Sequence, residues 1–169
     1  MLLADSRFHI LVLCTGNSAR SIMAEALLTV EAGSIFTAHS AGSHPVGRVN
    51  PLAREQIDSL DPDIRARSKS WHEFEGETAP RLDFVLTVCD NAAGEACPVF
   101  PGTPRRIHWG LPDPAATGGS VADMRRAFRD CFRTLQTRIR QLAGQITENM
   151  TVSEIAHLMQ SLDNYGEKS

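Results

Sequence analysis

The sequence predicts an α/β fold: a single doubly wound domain in which the strands of a parallel sheet alternate with helices. Three observations predict it. The chain has 169 residues, enough to bury one self-sufficient core. A short apolar run near the N-terminus, Phe8-His9-Ile10-Leu11-Val12-Leu13, is of the kind buried on both faces of a parallel sheet. Strand-like and helix-like patterns then alternate along the chain.

The first strand ends at Cys14. After the turn Thr15-Gly16-Asn17-Ser18-Ala19, a helix begins in which Ile22, Met23, Ala26, Leu27 and Val30 share one face while Glu25 and Thr29 lie opposite. Ile35 to Ser40 reads as the second strand, closed by Ala41-Gly42. Asn50 caps a helix with Pro51 at its first position, running to about Leu60. The polar stretch from Asp61 to Pro80 is loop with one short helical turn, and Leu82 to Val88 is a third strand leading into Cys89. A fourth strand, Arg106 to Trp109, runs into the turn Gly110-Leu111-Pro112-Asp113-Pro114.

Ser120 with Asp123 opens a long helix to about Ala143, whose apolar stripe is Met124, Ala127, Phe128, Cys131, Leu135 and Ile139. Thr151 with Glu154 opens a short helix to about Leu162, and Asp163 to Ser169 is expected to fray. Ligands of a doubly wound sheet bind beyond the carboxyl ends of its strands, where Cys14 and Cys89 both fall.

The composition is 42% hydrophobic and 22% charged with a net charge of −3, which argues against a nucleic-acid-binding surface, so any anion must be captured locally. No apolar run is long enough for a membrane span, and Met1 to Arg7 lacks the pattern of a secretory signal, so a cytoplasmic location is expected. Thiols stay reduced there, and the four cysteines, Cys14, Cys89, Cys97 and Cys131, are read as catalytic, redox-active or buried rather than as permanent staples. No C-x2-C or H-x3-H pairing supports a zinc site, and no metal ligands are assigned.

The segment Cys14-Thr15-Gly16-Asn17-Ser18-Ala19-Arg20-Ser21 suits a tetrahedral oxyanion. Successive backbone N–H groups of a loop leading into a helix can converge on the anion, and the guanidinium of Arg20 can hold two oxygens at once. The same field should favour the thiolate of Cys14. Gly16 allows close approach, Asn17 can brace the loop, and Ser21 can donate to the sulfur. A bare C-x5-R is a weak signal, and the alternative is an inert thiol beside an exposed arginine. The strand, loop and helix context strengthens the catalytic reading.

These residues, with Met23-Ala24-Glu25, Ser40-Ala41-Gly42-Ser43, Cys89, Cys97-Pro98 and the block from His108 to Ala115, make the chain resemble the low-molecular-weight protein tyrosine phosphatase superfamily and, within it, the arsenate reductases. The resemblance reaches to about Gly144. It implies a four-stranded parallel sheet with helices on both faces, a domain over residues 1–146, and a C-terminal extension over 147–169.

For function, the resemblance implies that Cys14 attacks arsenate, that Cys89 then attacks Cys14 to release arsenite, and that Cys97 attacks Cys89. The final disulfide would be reduced by thioredoxin, or by glutaredoxin and glutathione, and phosphate or sulfate would compete for the loop. Asp113 matches the general acid, although an Asp-Pro turn explains it equally well on local grounds. Some members hold a potassium ion, for which Asn17, Glu25 and Ser40 stand at compatible positions, while His72-Glu73 stands where an aspartate would be sought.

Two other functions fit the same residues. A tyrosine or small-ester phosphatase would need only Cys14, Arg20 and Asp113, although Ala115-Ala116-Thr117-Gly118-Gly119 offers an aryl group little to stack on. A non-catalytic module would bind an oxyanion or sense redox state through the loop without turnover. Cys131, on the apolar stripe of the long helix, is read as a small buried hydrophobe.

Overall fold

The computed structural model describes residues 6–90, 94 and 98–166. Four strands, β1 (Phe8–Cys14), β2 (Phe36–Gly42), β3 (Leu82–Thr87) and β4 (Gly102–His108), form one parallel sheet in the order β2-β1-β3-β4. Among the described residues four α-helices accompany them: α1 (Arg20–Glu31), α2 (Pro51–Leu60), α3 (Val121–Gln145) and α4 (Val152–Ser161).

Alternation along β1 divides its side chains between two apolar layers. Ile10, Val12 and Cys14 face a large core with Phe36, Phe84 and Leu86 and with the buried residues of all four helices. Leu11 and Leu13 face a smaller cluster completed by Ala41, Val85, Trp71, Phe74 and Phe100. The helical cover is therefore uneven. Among the described residues, the smaller layer is closed by one 3-10 turn, Trp71–Phe74, capped by the hydroxyl of Ser70, which accepts from the N–H of His72.

The helix starts follow local chemistry. The side chain of Asn50 accepts from Leu52 ahead of a first-position proline, and Ser120 with Asp123 and Thr151 with Glu154 each form reciprocal capping boxes. No helix among the described residues is long and apolar enough to cross a membrane.

Three expectations need correction. β4 begins at Gly102, four residues before the predicted start at Arg106. Its Pro104, Arg105 and Arg106 read as loop residues, but β4 lies at the sheet's edge, where a missing N–H and exposed charges are tolerated. β2 continues past Ser40 to Gly42, which pairs with Cys14. Of the tail expected to fray, residues 163–166 are tied down, because Asp163 accepts from the N–H of Gly110 at 2.8 Å and the carbonyl of Tyr165 accepts from Arg138 Nε at 3.0 Å, while residues 167–169 lie outside the described residues.

One histidine on the sheet, His39, responds to pH. The rings of His9 and His39 stack with centroids 5.4 Å apart, and Nδ1 of His9 lies 3.1 Å from Nε2 of His39. Burial, then the neighbouring His9 and Lys69, push His39 down from its ordinary value of 6.5 to about 4. The unfolded chain takes up this proton below about 6.5 while the folded chain refuses it until about 4, so acidification through that window favours unfolding. Urea unfolding midpoints measured between pH 7 and 4 should therefore fall more steeply for the wild type than for His39→Gln; parallel curves would remove this account.

Candidate active site

The site sits where the strand order reverses. β1 passes to β2 on one side, and the chain returns as β3 on the other, so the crevice beyond β1 and β3 is the switch point of the sheet. Leu13 pairs with Thr87, and the N–H of Val88 donates to the Leu13 carbonyl at 3.0 Å. This register brings Cys89 to Cys14, and the two buried thiols hydrogen-bond each other. Thr15 Oγ1 lies 3.8 Å from Cys89 Sγ.

The loop from Cys14 to Ser21 is held from outside by its own carbonyls. Those of Thr15, Gly16 and Ser18 accept from the backbone N–H groups of His44, Val46 and Asn50 at 2.8–2.9 Å. A trans peptide points its N–H opposite to its C=O, so the N–H groups of Gly16, Asn17 and Ala19 are turned away from that segment. Gly16 N–H reaches the Cys14 sulfur. α1 then starts without a side-chain cap and without an acidic residue in its first turn, which leaves donors and the positive end of its dipole toward the loop.

Asn17 sets the turn. Its φ of 43° is in the left-handed region, and its fully buried amide spans two neighbours: Oδ1 accepts from Lys69 N–H at 2.9 Å and Nδ2 donates to Ser21 Oγ at 2.8 Å. Ser21 Oγ thus accepts from Asn17, which leaves its own proton to donate elsewhere. Gly42 packs flat under the loop; a Cβ there would meet the Thr15 carbonyl oxygen at 2.5 Å and that of Cys14 at 2.9 Å.

Arg20 joins this loop to the Asp113 turn. Its Nη1 donates to the Leu111 carbonyl at 2.9 Å, Nη2 lies 3.7 Å from Asp113 Oδ2, and its buried Nε has no partner among the described residues. Asp113 caps the 3-10 turn Pro114–Ala116 by accepting from Ala115 N–H through Oδ1, and its side chain is 44% exposed. A cavity of about 530 Å³ opens beside it, lined in part by Leu111, Pro112, Pro114 and Cys131. Burial pushes the Cys131 thiol up to about 12, as befits an unreactive side chain.

The field expected to hold Cys14 as a thiolate meets an opponent here. The hydrogen bond to Cys89 and burial raise the Cys14 thiol, against the pull of Arg20 and the Gly16 N–H. Two thiols in contact resist becoming two anions. The same contact lets the thiol that keeps its proton donate it to the sulfur that loses one.

Lys69 is the residue that sequence reasoning missed. Ser40 Oγ donates to Glu25 Oε2 at 2.6 Å, and Lys69 Nζ lies 3.8 Å from the same oxygen with its side chain only 10% exposed. Burial raises Glu25 while Lys69 acts to lower it. Asn17, Glu25 and Ser40 are thus brought together, as a cation site would require, but the Asn17 oxygen accepts from Lys69 N–H and the Glu25 carboxylate already faces an ammonium. The donors do not fit a potassium ion. His72 and Glu73 turn elsewhere, His72 to Glu75 and Glu73 to Arg67. Among the described residues no group of three or more His, Cys, Asp and Glu side chains could hold a metal. Cys97 lies outside the described residues.

The geometry can be set beside known proteins. Curated relatives include an arsenate reductase of Halalkalibacterium halodurans, 34% identical over 131 residues, covering 78% of this chain and 91% of that protein, and arsenate reductase 1 of Bacillus cereus, 38% identical over 117 residues, covering 69% and 84%. Among solved structures, an arsenate reductase from Archaeoglobus fulgidus matches with a TM-score of 0.62 at 25% identity, over 80% of this chain and 99% of that one. A thioredoxin-dependent arsenate reductase from Corynebacterium glutamicum matches with a TM-score of 0.55 at 25% identity, over 82% and 60%. Residues 9–152 match the family described as low molecular weight phosphotyrosine protein phosphatase. With that match across most of its length, and with a parallel sheet that carries the C-x5-R loop at its switch point, the chain belongs to the low-molecular-weight phosphotyrosine protein phosphatase family.

Proposed function

We propose that this chain reduces arsenate to arsenite with electrons taken from its own cysteines. The observation that carries the reading is the thiol contact between Cys14 and Cys89 at the floor of an oxyanion loop. A phosphatase needs one sulfur there. A reductase needs two, since two thiols becoming one disulfide release two electrons. The arsenate reductases among the relatives support the same choice.

The Cys14 thiolate attacks arsenic, and Asp113 gives a proton to the oxygen that leaves as water, forming a sulfur–arsenic bond. Backbone N–H groups of residues 15–21 and Arg20 hold the remaining oxygens. The Cys89 thiolate then attacks the Cys14 sulfur. The sulfur–arsenic bond breaks, its electron pair stays on arsenic, arsenite departs, and a Cys14–Cys89 disulfide remains. Cys97 attacks Cys89, frees Cys14 and leaves a Cys89–Cys97 disulfide for an external dithiol. Thioredoxin is the favoured donor, by analogy with the Corynebacterium glutamicum relative, with glutaredoxin and glutathione as the alternative. A pool of reduced thiols of this kind is a feature of the cytoplasm, the location this reading favours.

No step is routed through potassium. In this reading Lys69 supplies beside Glu25 the positive charge that a bound cation would bring, and through Asn17 it fixes the loop.

Arsenite release measured with thioredoxin, its reductase and NADPH tests the cascade. Cys14→Ser should lower the rate by about a thousandfold or more, as expected for loss of a nucleophile. Cys97→Ser should give a single turnover, one arsenite per chain, and trap the Cys14–Cys89 disulfide for mapping by mass spectrometry. Sustained multiple turnover by Cys89→Ser would show the cascade to be wrong, and aryl phosphate hydrolysis without arsenate turnover would establish a phosphatase instead. A second expectation concerns Lys69: at equal ionic strength the wild type should turn over arsenate equally in potassium and sodium chloride. Lys69→Met should raise KM for arsenate about tenfold, the scale of one lost charge-assisted contact, with potassium recovering part of it. A potassium response as large in the wild type as in the variant would refute the substitution of ammonium for metal.

A further inference from the structure

The turn that carries Asp113 is held from behind by residues after 152, past the part of the chain that matches the family. Gln160 reads both backbone groups of His108, accepting from its N–H at 3.1 Å and donating to its carbonyl at 3.1 Å. The fully buried Trp109 donates through Nε1 to the Met159 carbonyl at 2.7 Å, and Gly110 N–H donates to Asp163 Oδ1 at 2.8 Å. The last residue of β4 and the first two of the turn are therefore tied to one short segment.

That segment is itself fixed. Ile155, Met159 and Leu162 enter the main core, and the capping box at Thr151 and Glu154 starts α4. Arg138 of α3, with no exposed surface, donates through Nε to the Tyr165 carbonyl, lies 5.8 Å over the Trp109 ring, and has Nη1 3.9 Å from Asp163. The charge of Asp163 strengthens its bond to Gly110 N–H, and the Arg138 guanidinium 3.9 Å away favours that charge. One and three residues beyond Gly110, the same turn presents the two groups that grip Arg20: the Leu111 carbonyl at 2.9 Å and Asp113 at 3.7 Å.

We propose that residues 152–166 form a positioning element for the oxyanion site, in which Asp163 and Gln160 are positioning residues that act through the turn from Trp109 to Asp113 on Arg20 and the general acid. The segment after 146 is then a working part of the site rather than an appendage. This rests on the roles given above to Asp113 and Arg20. Gln160 fixes where β4 ends, Asp163 fixes the direction in which the chain leaves it, and small displacements of such groups cost rate steeply.

The test uses the full-length protein with Asp163→Ala, Asp163→Asn and Asp113→Asn, and the double variant Asp113→Asn with Asp163→Ala. Arsenite release is measured with the thioredoxin system, and amide hydrogen exchange with inorganic phosphate bound. Asp163→Ala should lower kcat/KM about tenfold and speed exchange at Gly110 and Leu111 while α1 and β1 stay protected. Asp163→Asn keeps an acceptor oxygen and should restore most of the rate. In the Asp113→Asn background the Asp163→Ala loss should shrink, because groups acting through one another are not additive. An unchanged rate in Asp163→Ala, full additivity in the double variant, or exchange rising across the whole molecule overturns the proposal. If Asp113→Asn is itself without effect, the general-acid reading has failed, and that outcome is told apart because it needs no change at Asp163.

Discussion

Everything at this site depends on β1 being paired on both sides. Parallel bonding to β2 and to β3 leaves the strand no freedom of register, and a shift of one residue would exchange Ile10, Val12 and Cys14 with Leu11 and Leu13 between the two apolar layers. Because the register is fixed, Cys14 leaves the sheet beside Gly42 on one side and Val88-Cys89 on the other. One neighbour provides the flat floor on which the loop can turn, and the other provides the second thiol. Sheet geometry alone thus puts the two thiols of Cys14 and Cys89 in contact.

The loop is stabilised by satisfying its outward side. Three carbonyls of the loop bond to the segment from His44 to Asn50, and Asn17 is locked by Lys69 and Ser21. The inward N–H groups and the uncapped start of α1 are thereby left for an anion. This explains how a chain with a net charge of −3 can hold a multiply charged ion: the attraction is built from backbone dipoles and the nearby guanidinium rather than from a basic surface. The cost of the arrangement appears at Cys14, whose proton is held by the proximity of Cys89 even as Arg20 draws it off.

Much of this was legible in the sequence. The order of strands and helices, both capping boxes and the loop followed from periodicity and from residue types with strong local preferences, such as Asn50-Pro51 and Ser120 with Asp123. What escaped depended on contacts between distant segments. Lys69 lies in a polar stretch that reads as loop, and nothing local says that its ammonium reaches Glu25 and its N–H reaches Asn17. Arg138 interrupts an apolar stripe and looks solvent-facing until Trp109 and Tyr165 are placed around it. Pro104 and its two arginines hid the first half of β4, since an edge strand tolerates what a central strand cannot. The turn at residues 163–166 looked like a loose end because its partners, Gly110 and Arg138, are far away in sequence.

The treatment of that edge has a consequence for solubility. A sheet ending in an unpaired strand invites a neighbouring molecule to extend it, and here the rim of β4 offers little to grasp. Pro104 has no N–H to give, and the Gln160 amide already occupies both backbone groups of His108. The rim of β4 is thereby guarded against edge-to-edge association with a neighbouring strand.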